Sequence, residues 1–129
     1  MSYQDEEGIG LVSDTAVADL SAVTATTLYT VPAGKVFVAT EVWLRSAADV
    51  GGSLAFTIGR STALTDFVGT TNGDNLDVAG DCILVKPVPS ATPATNKSYA
   101  AGVIIQFKVS VAGNGVAGRV FLFGFLYDA

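Results

Sequence analysis

The sequence predicts an all-β fold, an antiparallel sandwich or barrel of about seven to eight short strands with little or no helix. Apolar residues recur with a period of two, as expected for half-buried strands, and not with the helical period. Clusters of Gly, Pro, Asn and Asp separate these stretches. The 17 valines and 13 threonines favour the same fold, because β-branched side chains fit a pleated surface.

Residues 1–23 form a leader ahead of one domain at residues 24–129. The leader starts with the acidic run Asp5-Glu6-Glu7 and has only modest hydrophobicity. We expect a flexible N-terminal arm, an arm that orders on a neighbouring molecule, or an added strand. Its first residues lack the basic and apolar regions of a signal peptide. Residues 16–23 suit one or two helical turns, but they carry no apolar stripe.

The domain opens with a weaker strand at residues 25–31 and a strong one at 35–46, joined by a Pro-Ala-Gly turn. Strict alternation across 35–46 places two sets of side chains on opposite faces. Aromatic residues interleaved with charges on the second face are typical of an interface. The first face is expected to carry Val36, Val38, Val42 and Leu44, and the second Phe37 and Trp43 among Lys35, Glu41 and Arg45.

The middle of the chain carries one clear strand, where Leu54, Phe56 and Ile58 alternate with smaller side chains. Residues 61–67 suit a short helical turn, and residues 76–78 and 82–86 are weaker strand candidates. Three prolines make residues 87–97 a loop. The loops before them are marked by Gly51-Gly52 and Asn72-Gly73-Asp74.

The end of the chain reads as a hairpin, because Gly113-Asn114-Gly115 separates a strand at 103–111 from one that follows. The last strand, residues 119–128, is apolar on both faces, whereas a surface strand needs only one apolar face. One face suits the domain core. The other must meet the opposing sheet, the arm or a neighbouring subunit, and it carries the predicted interface residues Phe121, Phe123, Phe125 and Tyr127.

Composition points to association with other proteins. Apolar residues make up 50% of the chain and charged residues only 15%, so apolar surface is expected to be covered by oligomerisation or docking. No run of 18 apolar residues is present, which argues against a membrane span. The net charge is −5 and the seven cationic residues are scattered, which disfavours nucleic acid as a partner.

The sequence offers no catalytic set. It has no histidine, and so lacks the commonest general base and metal ligand. The single cysteine, Cys82, has no histidine to activate it and is expected to be a small buried apolar side chain. No phosphate-binding loop and no carboxylate pair of a glycosidase is evident, and Glu41 suits a solvated face with local ion pairing. We therefore predict no enzyme and no cofactor.

A polar segment at residues 72–81 is the only candidate for a metal. Its carboxylates, Asp74, Asp77 and Asp81, are oxygen ligands at short spacing, as calcium prefers. The spacing does not match an EF-hand loop. An ordinary polar turn explains the same residues, since Asn, Asp and Gly favour turns for backbone reasons.

Two segments resemble a known group of proteins. Residues 27–38, TLYTVPAGKVFV, resemble the hairpin that opens a small β-sandwich in structural proteins of tailed bacteriophages. Residues 116–127, closing on Gly124-Phe125-Leu126-Tyr127, are similar to the terminal hairpin of such modules. The resemblance implies a jelly-roll-like, often trimeric module and supplies no catalytic residues.

The resemblance implies a virion structural protein, above all a capsid decoration (cement) protein on the capsid surface. Such a protein binds the major capsid protein and stabilises adjacent capsid subunits. The alternative is a tail or fibre module that binds a receptor or carbohydrate, with Tyr29, Trp43 or Tyr99 as stacking platforms and the 72–81 loop as a calcium site.

Overall fold

The computed structural model describes residues 9–86 and 98–129. Over those two ranges the chain forms nine β-strands and no helix, so the predicted all-β class is confirmed. The strands are β1 (Gly10–Val17), β2 (Ala25–Thr30), β3 (Lys35–Ser46), β4 (Ala55–Arg60), β5 (Ala63–Asn72), β6 (Cys82–Val85), β7 (Ser98–Tyr99), β8 (Ile104–Val111) and β9 (Gly118–Asp128).

The strands form two antiparallel sheets packed as a sandwich. One sheet has the order β1-β9-β3-β6, with the short β7 also paired to β3, and the other has the order β2-β8-β4-β5. With β7 set aside, this is the strand order of a jelly roll, in which the chain passes repeatedly between the sheets. The predicted jelly-roll-like sandwich is therefore confirmed.

A single hydrophobic core fills the space between the sheets, because each sheet turns one apolar face inward. The rings of Phe56 on β4 and Phe107 on β8 lie with centroids 5.3 Å apart at the centre of the four-stranded sheet. Side chains that are at most 1% exposed come from both sheets and from the loops at one end of the sandwich. They include Leu20, Phe37, Val42, Leu44, Val50, Leu54, Ile58, Leu76, Ile105, Val109, Val120 and Leu122.

A β-bulge at Thr40 divides β3 into two halves with opposite alternation. Ala39 pairs with Gly124 and Glu41 pairs with Phe123, so Thr40 is one extra residue on β3. The prediction that the four apolar residues Val36 to Leu44 share one face is therefore wrong. Before the bulge Phe37 and Ala39 are buried, and after it Val42 and Leu44 are buried.

Three further expectations differ from the structure. Residues 63–72 form strand β5, not a helical turn, and residues 76–78 form no strand. The expected helical turns at residues 16–23 are absent, since residues 10–17 form the edge strand β1 paired with β9 and no helix follows at 18–23. The proline-rich loop at 87–97 lies outside the described residues, as do residues 1–8.

Polar contacts tie the two sheets together. The Tyr99 hydroxyl on β7 donates to Asp66 Oδ1 on β5 at 3.0 Å, and Arg60 Nε on β4 lies 2.8 Å from Asp66 Oδ2. Burial, and then the Asp66 carboxylate, raise the pKa of Tyr99 far above its usual range. At another edge Ser13 Oγ on β1 donates to the Leu28 carbonyl on β2. Hydrogen bonds at the edges therefore hold the two sheets together, in addition to the hydrophobic core between them.

Candidate interaction surface

The outer face of the five-stranded sheet carries a continuous apolar surface, here called the aromatic face. Strand pairing creates it, because residues directly opposite in an antiparallel sheet point to the same side. Trp43 lies opposite both Phe121 and Leu84, and Phe123 lies opposite Leu11. Beyond the bulge the same side continues with the pairs of β3 and β9. The aromatic face comprises Leu11, Val36, Val38, Trp43, Leu84, Phe121, Phe123, Phe125 and Tyr127.

Strand β9 supplies the centre of this face through its two apolar sides. Val120 and Leu122 point inward and are fully buried, whereas Phe121 and Phe123 point outward and are half-buried. No strand of residues 9–86 or 98–129 covers these two side chains, because every strand in those ranges belongs to one of the two sheets of the sandwich. The outer members remain open to solvent, with exposures of 52% for Leu11, 43% for Leu84 and 45% for Tyr127.

The glycine at position 124 explains why β3 and β9 approach so closely at the bulge. A Cβ atom there would overlap the Val38 carbonyl oxygen and lie 2.5 Å from Phe37 Cε1. Only glycine leaves room for the Phe37 ring beneath the strand. The position of Gly124 therefore sets the Phe37 ring in the core and the neighbouring Phe125 on the outer face.

A polar pair is embedded in the aromatic face. Trp43 Nε1 donates to Glu41 Oε2 at 3.0 Å, which satisfies the indole donor and fixes the ring. Glu41 shares its face with Arg45, as expected. Lys35 does not share that face, because the bulge reverses the alternation between them. The expected ion pairing of Glu41 is replaced by this hydrogen bond within the described residues.

Charged residues border the aromatic face at one end. At one end Arg119 lies opposite Arg45, and Arg119 Nε donates to Asp14 Oδ1 at 2.5 Å. At the other end the ion pair between Lys35 Nζ and Asp128 Oδ1, 2.6 Å apart, belongs to the opposite side of the sheet, because Lys35 shares the side of β3 on which the buried Phe37 lies. An apolar centre with a charged rim is the usual anatomy of a protein–protein interface.

The structure brings five of the six predicted interface residues together on this face: Trp43, Phe121, Phe123, Phe125 and Tyr127. Phe37 is the exception, because the bulge turns it inward, where it is fully buried opposite Tyr99. The assignment of Phe37 to an interface is therefore corrected to the core. Sequence reasoning missed Leu11, Val36, Val38 and Leu84, whose alternation is visible only once their strands are paired with β3 and β9.

The three proposed stacking platforms differ in their exposure. Tyr99 is 2% exposed in the polar contact between the sheets. The Tyr29 ring packs edge-on against Phe37, with centroids 5.2 Å apart, and burial raises the pKa of Tyr29. Tyr29 and Trp43 are both half-buried, so each keeps part of its side chain on the surface.

Of the calcium candidates, Asp81 uses its carboxylate within a turn, Asp74 and Asp77 donate backbone N–H groups, and Asp74 Oδ1 is buried without a hydrogen-bond partner. Asp81 Oδ2 accepts from the backbone N–H groups of Asp77 and Val78, at 3.1 and 3.0 Å. Asn72 Oδ1 accepts from the N–H of Asp74 at 2.7 Å. Across residues 9–86 and 98–129 no three potential ligands among His, Cys, Asp and Glu converge on one point. Asp74, Asp77 and Asp81 therefore lie in turns.

The exposure of Cys82 differs from the prediction that this side chain is buried. Cys82 lies on β6 opposite Arg45 and is exposed, not buried, with Sγ 3.6 Å from the Gly80 carbonyl oxygen. The short edge strand β6 has only one buried side, and Cys82 shares the outer side with Leu84.

Among the described residues no helix has the length and apolar character needed to cross a membrane.

Comparison with known proteins places the fold among phage capsid structures. No protein-family model matches the chain, and no curated protein matches it in sequence. A chain of the cyanophage Pam1 capsid asymmetric unit superposes with a TM-score of 0.54 at 11% identity, over 97% of this chain and 90% of the other. A chain of the acidic stable capsid structure of Helicobacter pylori bacteriophage KHP30 gives 0.59 at 15% identity, over 94% and 92%. At these identities the likeness establishes a shared fold.

Proposed function

We propose that this chain is a non-enzymatic structural protein of a tailed-bacteriophage virion, a capsid decoration (cement) protein. In this role it binds the major capsid protein on the capsid surface and holds adjacent subunits together. The observation that carries the proposal is the aromatic face, which is open over the described residues and bordered by charges at one end. Large apolar patches of this kind on soluble proteins are typical of interaction sites.

Two further points support the proposal. The jelly-roll fold is shared with chains of two phage capsid structures. The chain has no histidine, and the carboxylates of Glu41, Asp66, Asp81 and Asp128 are engaged in hydrogen bonds or ion pairs. Binding to the assembled capsid but not to dissociated subunits stabilises the capsid by mass action.

The family resemblance favours a trimer. Light scattering after size-exclusion chromatography tests this oligomeric state.

The decisive experiment is co-sedimentation with shells of the major capsid protein of the same virion. Trp43→Thr with Phe123→Thr removes the centre of the aromatic face. Ile104→Thr with Val111→Thr is the matched control, since both lie exposed on β8 in the other sheet. We expect the wild type and the control to bind and the Trp43/Phe123 variant to lose at least about tenfold in affinity. Equal binding by both variants would contradict the proposal.

A second candidate function is carbohydrate binding by a tail or fibre module. The hydrogen bond from Trp43 to Glu41 on an open face is the observation that favours it, because an aromatic ring beside a carboxylate offers stacking and a hydrogen-bond acceptor to a sugar. A glycan-array signal abolished by Trp43→Ala would support this function. Absence of glycan binding together with co-sedimentation on capsid shells would exclude it.

A further inference from the structure

Two arginines lie side by side at one end of the aromatic face. Arg45 on β3 and Arg119 on β9 are directly opposite each other in the strand register. Like charges at such positions destabilise a sheet unless an anion lies between or beside them. Arg119 has Asp14 as its partner, but none of the ion pairs among residues 9–86 and 98–129 includes Arg45. This end of the face therefore carries an uncompensated positive charge.

A pocket of about 210 Å³ is lined in part by Arg45 and Arg119. Its other lining residues are small, so the surface dips between the longer side chains around it. The combination gives an apolar floor with a cationic rim, which suits a side chain that has methylene groups and ends in a carboxylate. The floor is formed by Ala16, Val17, Ala18, Ala47, Ala117 and Gly118.

The chain itself contains a matching segment. Asp5-Glu6-Glu7 is its only run of three consecutive acidic residues, in a protein with just seven cations. The same copy offers a poor fit. Gly10 lies opposite Gly124, about 17 Å along the sheet from Arg119 at about 3.4 Å per residue, so an acidic segment of the same copy would have to run back along the sheet almost fully extended. The chain would also have to reverse direction at β1.

We propose that the pocket beside Arg45 and Arg119 binds the Asp5-Glu6-Glu7 segment of a second copy of this chain. The carboxylates pair with the two guanidinium groups, and the methylene groups of Glu6 or Glu7 cover the alanine floor. This contact specifies how copies join in the homo-oligomer proposed above, and it rests on that part of the proposed function.

Sedimentation velocity of the full chain tests the contact. We expect the wild type to self-associate at about 50 mM NaCl and less at about 500 mM, because the pairing is electrostatic and exposed. Arg45→Gln, and separately Asp5→Asn with Glu6→Gln and Glu7→Gln, should each weaken self-association by at least about tenfold. Lys108→Gln removes a cation from the other sheet and should leave association unchanged.

A charge exchange identifies the two sides of the contact. Arg45→Glu should associate poorly with itself, as should a variant with lysines at positions 5, 6 and 7, whereas a mixture of the two should form hetero-oligomers. A wild type that stays monomeric, or association unaffected by Arg45→Gln and by the neutralised acidic segment, would overturn the inference. Co-sedimentation of Arg45→Gln with capsid shells separates this failure from failure of the proposed capsid binding, which depends on Trp43 and Phe123.

Discussion

The Tyr99 hydroxyl donates to Asp66 Oδ1 at 3.0 Å, and this hydrogen bond joins the two sheets of the sandwich. Tyr99 is 2% exposed and its acceptor is a carboxylate, so the bond is of the stronger, charge-assisted kind. We predict that Tyr99→Phe lowers the free energy of unfolding by about 1.5–3 kcal/mol in urea denaturation. Tyr127→Phe, on the exposed aromatic face, is the control and should change it by less than about 0.5 kcal/mol. Equal stability of the two variants would show that the bond contributes nothing.

The same tyrosine predicts a pH dependence. Burial and the Asp66 carboxylate raise the pKa of Tyr99 in the folded state above its value of about 10 in the unfolded chain. Its contribution is therefore complete below about pH 10 and is lost as the pH rises further, since only the unfolded state then releases the proton. The stability difference between the wild type and Tyr99→Phe should shrink above that pH. Denaturation curves at intervals from about pH 8 to about pH 11 measure it, and a constant difference would contradict the assignment.

Gly124 provides a test of the close approach between β3 and β9. In Gly124→Ala the added methyl group meets the Val38 carbonyl oxygen, which is backbone and cannot move aside like a flexible side chain. We predict a loss of about 2–3 kcal/mol in the free energy of unfolding. Gly10→Ala is the matched control, because Gly10 pairs with Gly124 across the sheet but has no atom within 4 Å of the added methyl group. A Gly124→Ala protein as stable as Gly10→Ala would mean that the strands separate there without cost.

The sequence predicted the strands better than it predicted their faces. Residues 35–46 form a single strand with the expected bounds, because its alternation and the Pro-Ala-Gly turn before it are local signals. The bulge at Thr40 depends on pairing with β9, which is distant in sequence. A trace of it is nevertheless present, because odd-numbered positions change from apolar Phe37 and Ala39 to charged Glu41 and Arg45.

Strand β5 was not predicted from the sequence, for a related reason. The ladder between β4 and β5 shifts register twice, which breaks the period of two that identifies a strand. Asp66, which turns toward Arg60 and Tyr99, also looks out of place in a strand until those partners are known. On β9, by contrast, the alternation is unbroken. Its four outer aromatic residues were therefore predicted correctly as a group, while the neighbours from β1 and β6 required the tertiary pairing.

Phe37 and Phe123 offer a direct test of which side of the five-stranded sheet is the core. Phe37 is fully buried beside Gly124, whereas Phe123 is half-buried on the outer face. We predict that Phe37→Ala costs about 3–5 kcal/mol in the free energy of unfolding, from lost burial and the cavity it leaves. Phe123→Ala should cost about 1 kcal/mol, because its ring is already partly in water. Urea denaturation at low protein concentration measures both without a contribution from self-association. Similar losses for the two variants would place both rings in one environment and remove the bulge that separates them.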